Sequence, residues 1–132
     1  KAIRAGSDQV IPQGADTIAD SISVGHPRNG IKALRAIRES HGVTIAVSDR
    51  EILASMAELA AATGVFGEPA GIAGIAGIKR AREAGYIRPE ETVLHVVTGN
   101  GLKDIQSATK AAEVPGHRVK TMDDVRRVVN KD

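Results

Sequence analysis

Two β-branched runs, Val43–Val47 and Thr92–Thr98, each lie between helix-patterned stretches, and this alternation constrains the fold more than any other feature. Strands separated by helices pair in parallel, because the crossover helix carries the chain back to the same edge. The expected fold class is therefore α/β: part of an open, mostly parallel sheet flanked by helices, incomplete in this chain. Two strong strands are few for such a sheet, which needs cover on both faces and at both edges. The chain begins Lys1-Ala2-Ile3-Arg4, with no initiator Met and no signal-peptide core. That is how a piece of something longer starts; processing of a mature protein is the milder alternative.

The helical stretches announce themselves by spacing and punctuation. Ile31, Leu34 and Ile37 recur between basic neighbours, which predicts an amphipathic helix over 31–40 stopped by Gly42. Ser48 with Glu51 three residues later is a capping-box pattern, opening a helix that runs to Thr63 and ends at Gly64. Pro69 suits the first turn of the next helix, which extends through Ala84 to Gly85. Further helices are expected over 102–113 and 122–130, the last with Thr121 as its cap. Residues 1–16 read as a loop, and 17–24 as a short mixed segment ended by the turn Gly25-His26-Pro27.

Composition excludes several functions. At 132 residues the chain fits one domain, and 42% apolar residues argue against disorder. Aromatics are 2% and the formal charge is +2, so neither stacking platforms nor a basic patch for nucleic acid is present. There is no cysteine, hence no disulfide, thiolate metal site or thiol nucleophile, which fits a reducing cytoplasm. No apolar run approaches the roughly 20 residues that span a bilayer. His26, His41, His95 and His117 are not paired at metal-ligand spacing, so no metal site is read.

Three segments are candidates for a site. Thr98-Gly99-Asn100-Gly101-Leu102-Lys103-Asp104 leaves a strand and enters a helix, where ligands of open α/β sheets collect. Gly99 and Gly101 would let a ligand approach the backbone; the plain alternative is a strand-to-helix turn. A dinucleotide fingerprint fails, since Asp104 stands where a further Gly is required. In the second, Gly71, Gly74 and Gly77 give a side-chain-free stripe suited to tight helix–sheet packing, and Glu68 sits where a carboxylate favours a helix N-terminus. In the third, Arg28 could hold a phosphate or carboxylate in a bidentate fork and Asn29 could orient it, unless the segment is only a solvated turn.

Taken together, the stretch Thr17-Ile18-Ala19-Asp20-Ser21-Ile22-Ser23-Val24, the Pro27-Arg28-Asn29 turn, Val47-Ser48-Asp49-Arg50-Glu51-Ile52-Leu53, Gly64-Val65-Phe66-Gly67-Glu68-Pro69-Ala70-Gly71 and Thr98–Asp104 resembles the C-terminal half of threonine synthases. The order and spacing hold from Thr17 to Asp104 and more loosely beyond. Glu-Pro-Ala is shared across the β-family of pyridoxal-phosphate enzymes; the Thr98–Asp104 motif is more specific, although the family more often has His where Asn100 stands.

The resemblance implies a fold type II pyridoxal-phosphate enzyme, with residues 1–132 forming the C-terminal portion of its catalytic domain. Its implied reaction is a lyase step converting O-phospho-L-homoserine and water to L-threonine and phosphate. The implied parent is a cytoplasmic homo-oligomer that takes a small phosphorylated amino acid and binds neither nucleic acid nor membrane. Thr98 would offer its hydroxyl to the cofactor's ring nitrogen, Glu68 would support it, and Arg28 and Asn29 would line the substrate side. The Schiff-base lysine and the glycine loop for the cofactor phosphate lie in the family's N-terminal half, and no counterpart is found here, so the chain alone is expected to be inactive. A cysteate synthase, a serine/threonine dehydratase and a non-catalytic module are the alternatives.

Overall fold

The computed structural model describes residues 1–112 and 118–130. Its helices are α1 (Gly30–Glu39), α2 (Asp49–Thr63), α3 (Pro69–Glu83), α4 (Ile105–Ala111) and α5 (Met122–Val129), with 3-10 turns at Asp20–Ile22 and Gly101–Lys103. The helices α2 and α3 pack on each other, and α4 rests on α2.

Local chemistry sets most boundaries. At the start of α2 the Ser48 side chain accepts from the Glu51 N–H, and the Glu51 carboxylate accepts from the Ser48 N–H at 2.7 Å, the predicted capping box. Gly64 closes α2 at φ 75° and Gly85 follows α3 at φ 76°, conformations that glycine adopts without a Cβ clash. After α1 the left-handed residue is His41, at φ 53°, and not Gly42. The single helix expected from 102 is divided: a 3-10 turn ends at Lys103, and Asp104 then caps α4 by accepting from Ser107 N–H at 2.9 Å. The far end of that expected helix, Glu113, lies outside the described residues, as does His117. Thr121 and Asp124 form a second capping box on α5.

The core is made of small side chains. Ala19, Ile52 and Ala76 cluster, with Ile18, Val47, Ala70 and Ala73 packed around them. Met56 and Ile72 are fully buried, each contributing about 1.5–3 kcal/mol by leaving water. Ser55 is also buried on α2, and its hydroxyl has no hydrogen-bond partner among the described residues.

The expected sheet does not form among the described residues: 43–47 and 92–98 carry no strand pairing, and the isolated antiparallel bridge that does occur joins Gly67 to Asn100. Both segments nonetheless keep a period of two. Ile45 and Val47 are half-buried between exposed Thr44 and Ala46; His95 and Val97 are half-buried while Leu94 and Val96 point outward, 89% and 65% exposed. A ladder needs a neighbour on the edge, and these two segments do not supply one for each other.

Candidate functional site

The second and first motifs meet. Glu68 N–H donates to Gly99 O at 2.9 Å and Gly101 N–H donates to Phe66 O at 3.0 Å, so Phe66–Glu68 and Gly99–Gly101 clasp one another. α3 approaches this turn closely because Gly71 has no side chain: a Cβ there would lie 3.1 Å from Gly99 N and 3.3 Å from Thr98 N. One turn further along α3, a Cβ on Gly74 would strike the His95 ring, whereas one on Gly77 would meet nothing within 4 Å. The glycine stripe is thus a packing surface at Gly71 and Gly74.

Gly99 and Gly101 differ from expectation. Neither has positive φ, and the space a Cβ would take is filled by the Glu68 carboxylate at Gly99 and by the Phe66 ring at Gly101. Their missing side chains admit neighbours from this chain and not a ligand. Asn100 closes the turn itself, its Oδ1 accepting from Leu102 N–H at 2.9 Å.

Glu68 also departs from its expected capping role. It is the N-cap residue of α3, yet its carboxylate makes no cap hydrogen bond. The carboxylate is buried and instead pairs with Lys103 Nζ. A pocket of about 150 Å³ opens beside this pair, shared with Ile18, Asp20, Ser21 and Asp104. Hydrogen bonds from Ser107 hold the Asp104 carboxyl below its ordinary value, so it is a carboxylate at neutral pH. The Thr17–Ala19 segment that borders this pocket is fixed by Asp49 at the start of α2, which accepts from the Thr17 hydroxyl at 2.5 Å and from Ile18 N–H at 3.2 Å.

Thr98 lies on the other side of the clasp. It is exposed, its hydroxyl has no hydrogen-bond partner among the described residues, and it lines an open pocket of about 400 Å³ with Val65, Phe66, Val97 and Asn100. An unengaged hydroxyl at the rim of a partly apolar cleft has the chemistry to meet a planar heteroaromatic ring. Arg28 and Asn29 are not brought to either pocket. Both are exposed ahead of α1, and Asn29 contributes its backbone carbonyl to Ala33 N–H at 2.9 Å but no side-chain cap. Among the described residues no cluster of His, Cys, Asp or Glu could hold a metal ion, and no helix is long and apolar enough to cross a membrane.

Residues 1–99 match the family profile described as pyridoxal-phosphate dependent enzyme, and the chain belongs to that family. Within it, similar curated proteins include several threonine synthases. That of Methanosarcina acetivorans is 38% identical over 130 residues, 98% of this chain and 32% of the relative. That of Methanocaldococcus jannaschii is 41% identical over 116 residues, 87% and 29% respectively. That of Halalkalibacterium halodurans is 43% identical over 107 residues, 81% and 30%. The chain spans about a third of the length of these relatives. The resemblance drawn from the motifs is thereby upheld. What the motifs did not single out is Lys103, whose partner stands 35 positions away in sequence.

Proposed function

We propose that residues 1–132 are the C-terminal portion of the catalytic domain of a threonine-synthase-type lyase, which uses pyridoxal phosphate to convert O-phospho-L-homoserine and water to L-threonine and phosphate. The observation that carries this reading is the clasp, which sets the free Thr98 hydroxyl at a cleft while Glu68 is held behind the same turn. In the whole enzyme, the two period-two segments, 43–47 and 92–98, pair with strands from the rest of the sheet, which their outward Leu94 and Val96 and unpaired backbones suit.

Pyridoxal phosphate, when bound, supplies the electron sink that stabilises carbanions. This chain's part is to hold it. The Thr98 hydroxyl would donate to the ring nitrogen, and a neutral donor of this kind would leave that nitrogen unprotonated. Glu68 supports the turn from behind. Arg28 and Asn29 serve the substrate's phosphate or carboxylate; what favours this is a guanidinium that makes no ion pair among the described residues. The covalent lysine is contributed by other parts of the enzyme, and the 132-residue chain alone is inactive.

The test is to supply the natural gene product with O-phospho-L-homoserine and to measure phosphate and threonine together. Equal release of both is expected. Release of a 2-oxo acid from threonine or serine, with no phosphate from phosphohomoserine, would replace this reading with a dehydratase; product from O-phospho-L-serine alone would point to a cysteate synthase.

A further inference from the structure

A carboxylate taken out of water needs a cation or several donors beside it, or it destabilises the structure around it. The Glu68 side chain is 10% exposed, and Lys103 Nζ lies 3.2 Å from Oε1 and 3.1 Å from Oε2. The Glu68 backbone N–H meanwhile donates to Gly99 O. One residue therefore grips the 99–103 turn at both ends, by its main chain at Gly99 and by its side chain at Lys103. Between the two grips, its carboxylate occupies the space over the Gly99 Cα. The lysine side chain is 62% exposed, so the ammonium keeps water on one side while spanning the carboxylate on the other.

We infer that Lys103 is a positioning residue, which anchors the turn bearing Thr98 by tethering and neutralising Glu68. It touches neither cofactor nor substrate in this role. Without the ammonium, the Glu68 carboxylate lies over the Gly99 Cα uncompensated and swings toward solvent. It then vacates the space over Gly99, and the turn loosens. The part of this inference that concerns the cofactor rests on the Thr98 reading above; the anchoring of the turn does not.

The experiment uses the natural gene product with Lys103→Met, Lys103→Arg and the double variant Lys103→Met with Glu68→Gln. Hydrogen exchange of the Gly101 amide is read without cofactor, and pyridoxal phosphate is titrated in parallel. Loss of a charge-assisted contact in one turn is expected to speed Gly101 exchange about tenfold and weaken cofactor affinity about tenfold in Lys103→Met. Arg should restore both, whereas the double variant, which removes the uncompensated charge but not the lost tether, should recover Gly101 exchange only in part. Unchanged Gly101 exchange in Lys103→Met would overturn the inference, as would a uniform acceleration of all amides that Arg fails to reverse. Local exchange changes in a protein that binds no pyridoxal phosphate even as wild type would uphold the anchoring and defeat the Thr98 reading.

Discussion

The imidazole of His95 donates its Nε2 proton to the carbonyl oxygen of Gly71 across 2.7 Å, tying the 92–98 segment to the first turn of α3. A carbonyl can only accept, so the contact fixes which ring nitrogen carries hydrogen. It also explains why Gly74 lacks a side chain, since the ring lies where a Cβ would go.

Alanine at Gly74 and at Gly77 should therefore act in opposite directions. Gly74→Ala forces the His95 ring aside and breaks its hydrogen bond, an overpacking change worth about 1–3 kcal/mol of lost stability. Gly77→Ala meets open space and gains helix propensity, about 0.5–1 kcal/mol of added stability. Denaturant unfolding of both variants checks this, and stabilisation by both would mean that His95 is not seated on α3.

Ser48→Ala should remove the cap of α2 and lower stability by about 1 kcal/mol at neutral pH. Hydrogen bonds from the Ser48 side chain and backbone hold the Glu51 carboxyl below its ordinary value of 4.5. A carboxyl depressed in the folded state stabilises fully above its unfolded value, and that contribution is lost as pH falls through the folded one. The gap between wild type and Ser48→Ala should thus be widest near neutrality and narrow on acidification below about 4.5, leaving the share contributed by the Glu51 N–H bond to the Ser48 hydroxyl. Melting curves from pH 7 to pH 3 measure it; a gap independent of pH would assign the loss to something other than this carboxylate.

Ser55 offers a case in which removing a polar atom should do no harm. Its hydroxyl is buried without a partner, so it bears a desolvation cost that Ser55→Ala deletes while improving helix propensity. A neutral or stabilised variant is expected. Destabilisation in calorimetry would reveal a partner for that hydroxyl.

Thr98→Val should leave folding of this chain unchanged, since the hydroxyl is exposed and unengaged. In the whole enzyme the same change should weaken cofactor binding or turnover about tenfold to a hundredfold, matching the ~1–3 kcal/mol of an unmade hydrogen bond. Thr98→Ser should lose much less. Cofactor titration and steady-state rates compare the three; equal behaviour of Val and wild type would make Thr98 only the end of a segment.

Features encoded within a few residues were legible in the sequence. The Ser48–Glu51 box, the Gly64 terminus and Pro69 at the start of α3 all depend on neighbours along the chain, and all stand as expected. Features that need distant partners were not. Period-two patterning marked 43–47 and 92–98, but pairing is a property of two segments, and neither finds its mate among the described residues. Glu68 looked like a helix cap because macrodipole arguments are local, whereas Lys103 reaches it from another turn. Gly99 and Gly101 invited a ligand on paper; Glu68 and Phe66 fill those spaces from within the chain.

The clasp between Phe66–Glu68 and Gly99–Gly101 also governs how this stretch of chain tolerates changes in length. α3 and the 92–98 segment form a closed excursion whose two ends are pinned together by backbone hydrogen bonds. An added or deleted residue near Gly99 would turn His95 and Val97 outward and bring Leu94 and Val96 against α3. The far bend is different. Between Tyr86 and Glu91 the chain is mostly exposed and stitched by Arg88 to Glu90 and Glu91 at its own surface. Extra residues there lengthen a loop at small entropic cost without moving either pinned end. Length variation across the family should therefore collect at this bend, while the spacing from His95 to Lys103 stays fixed.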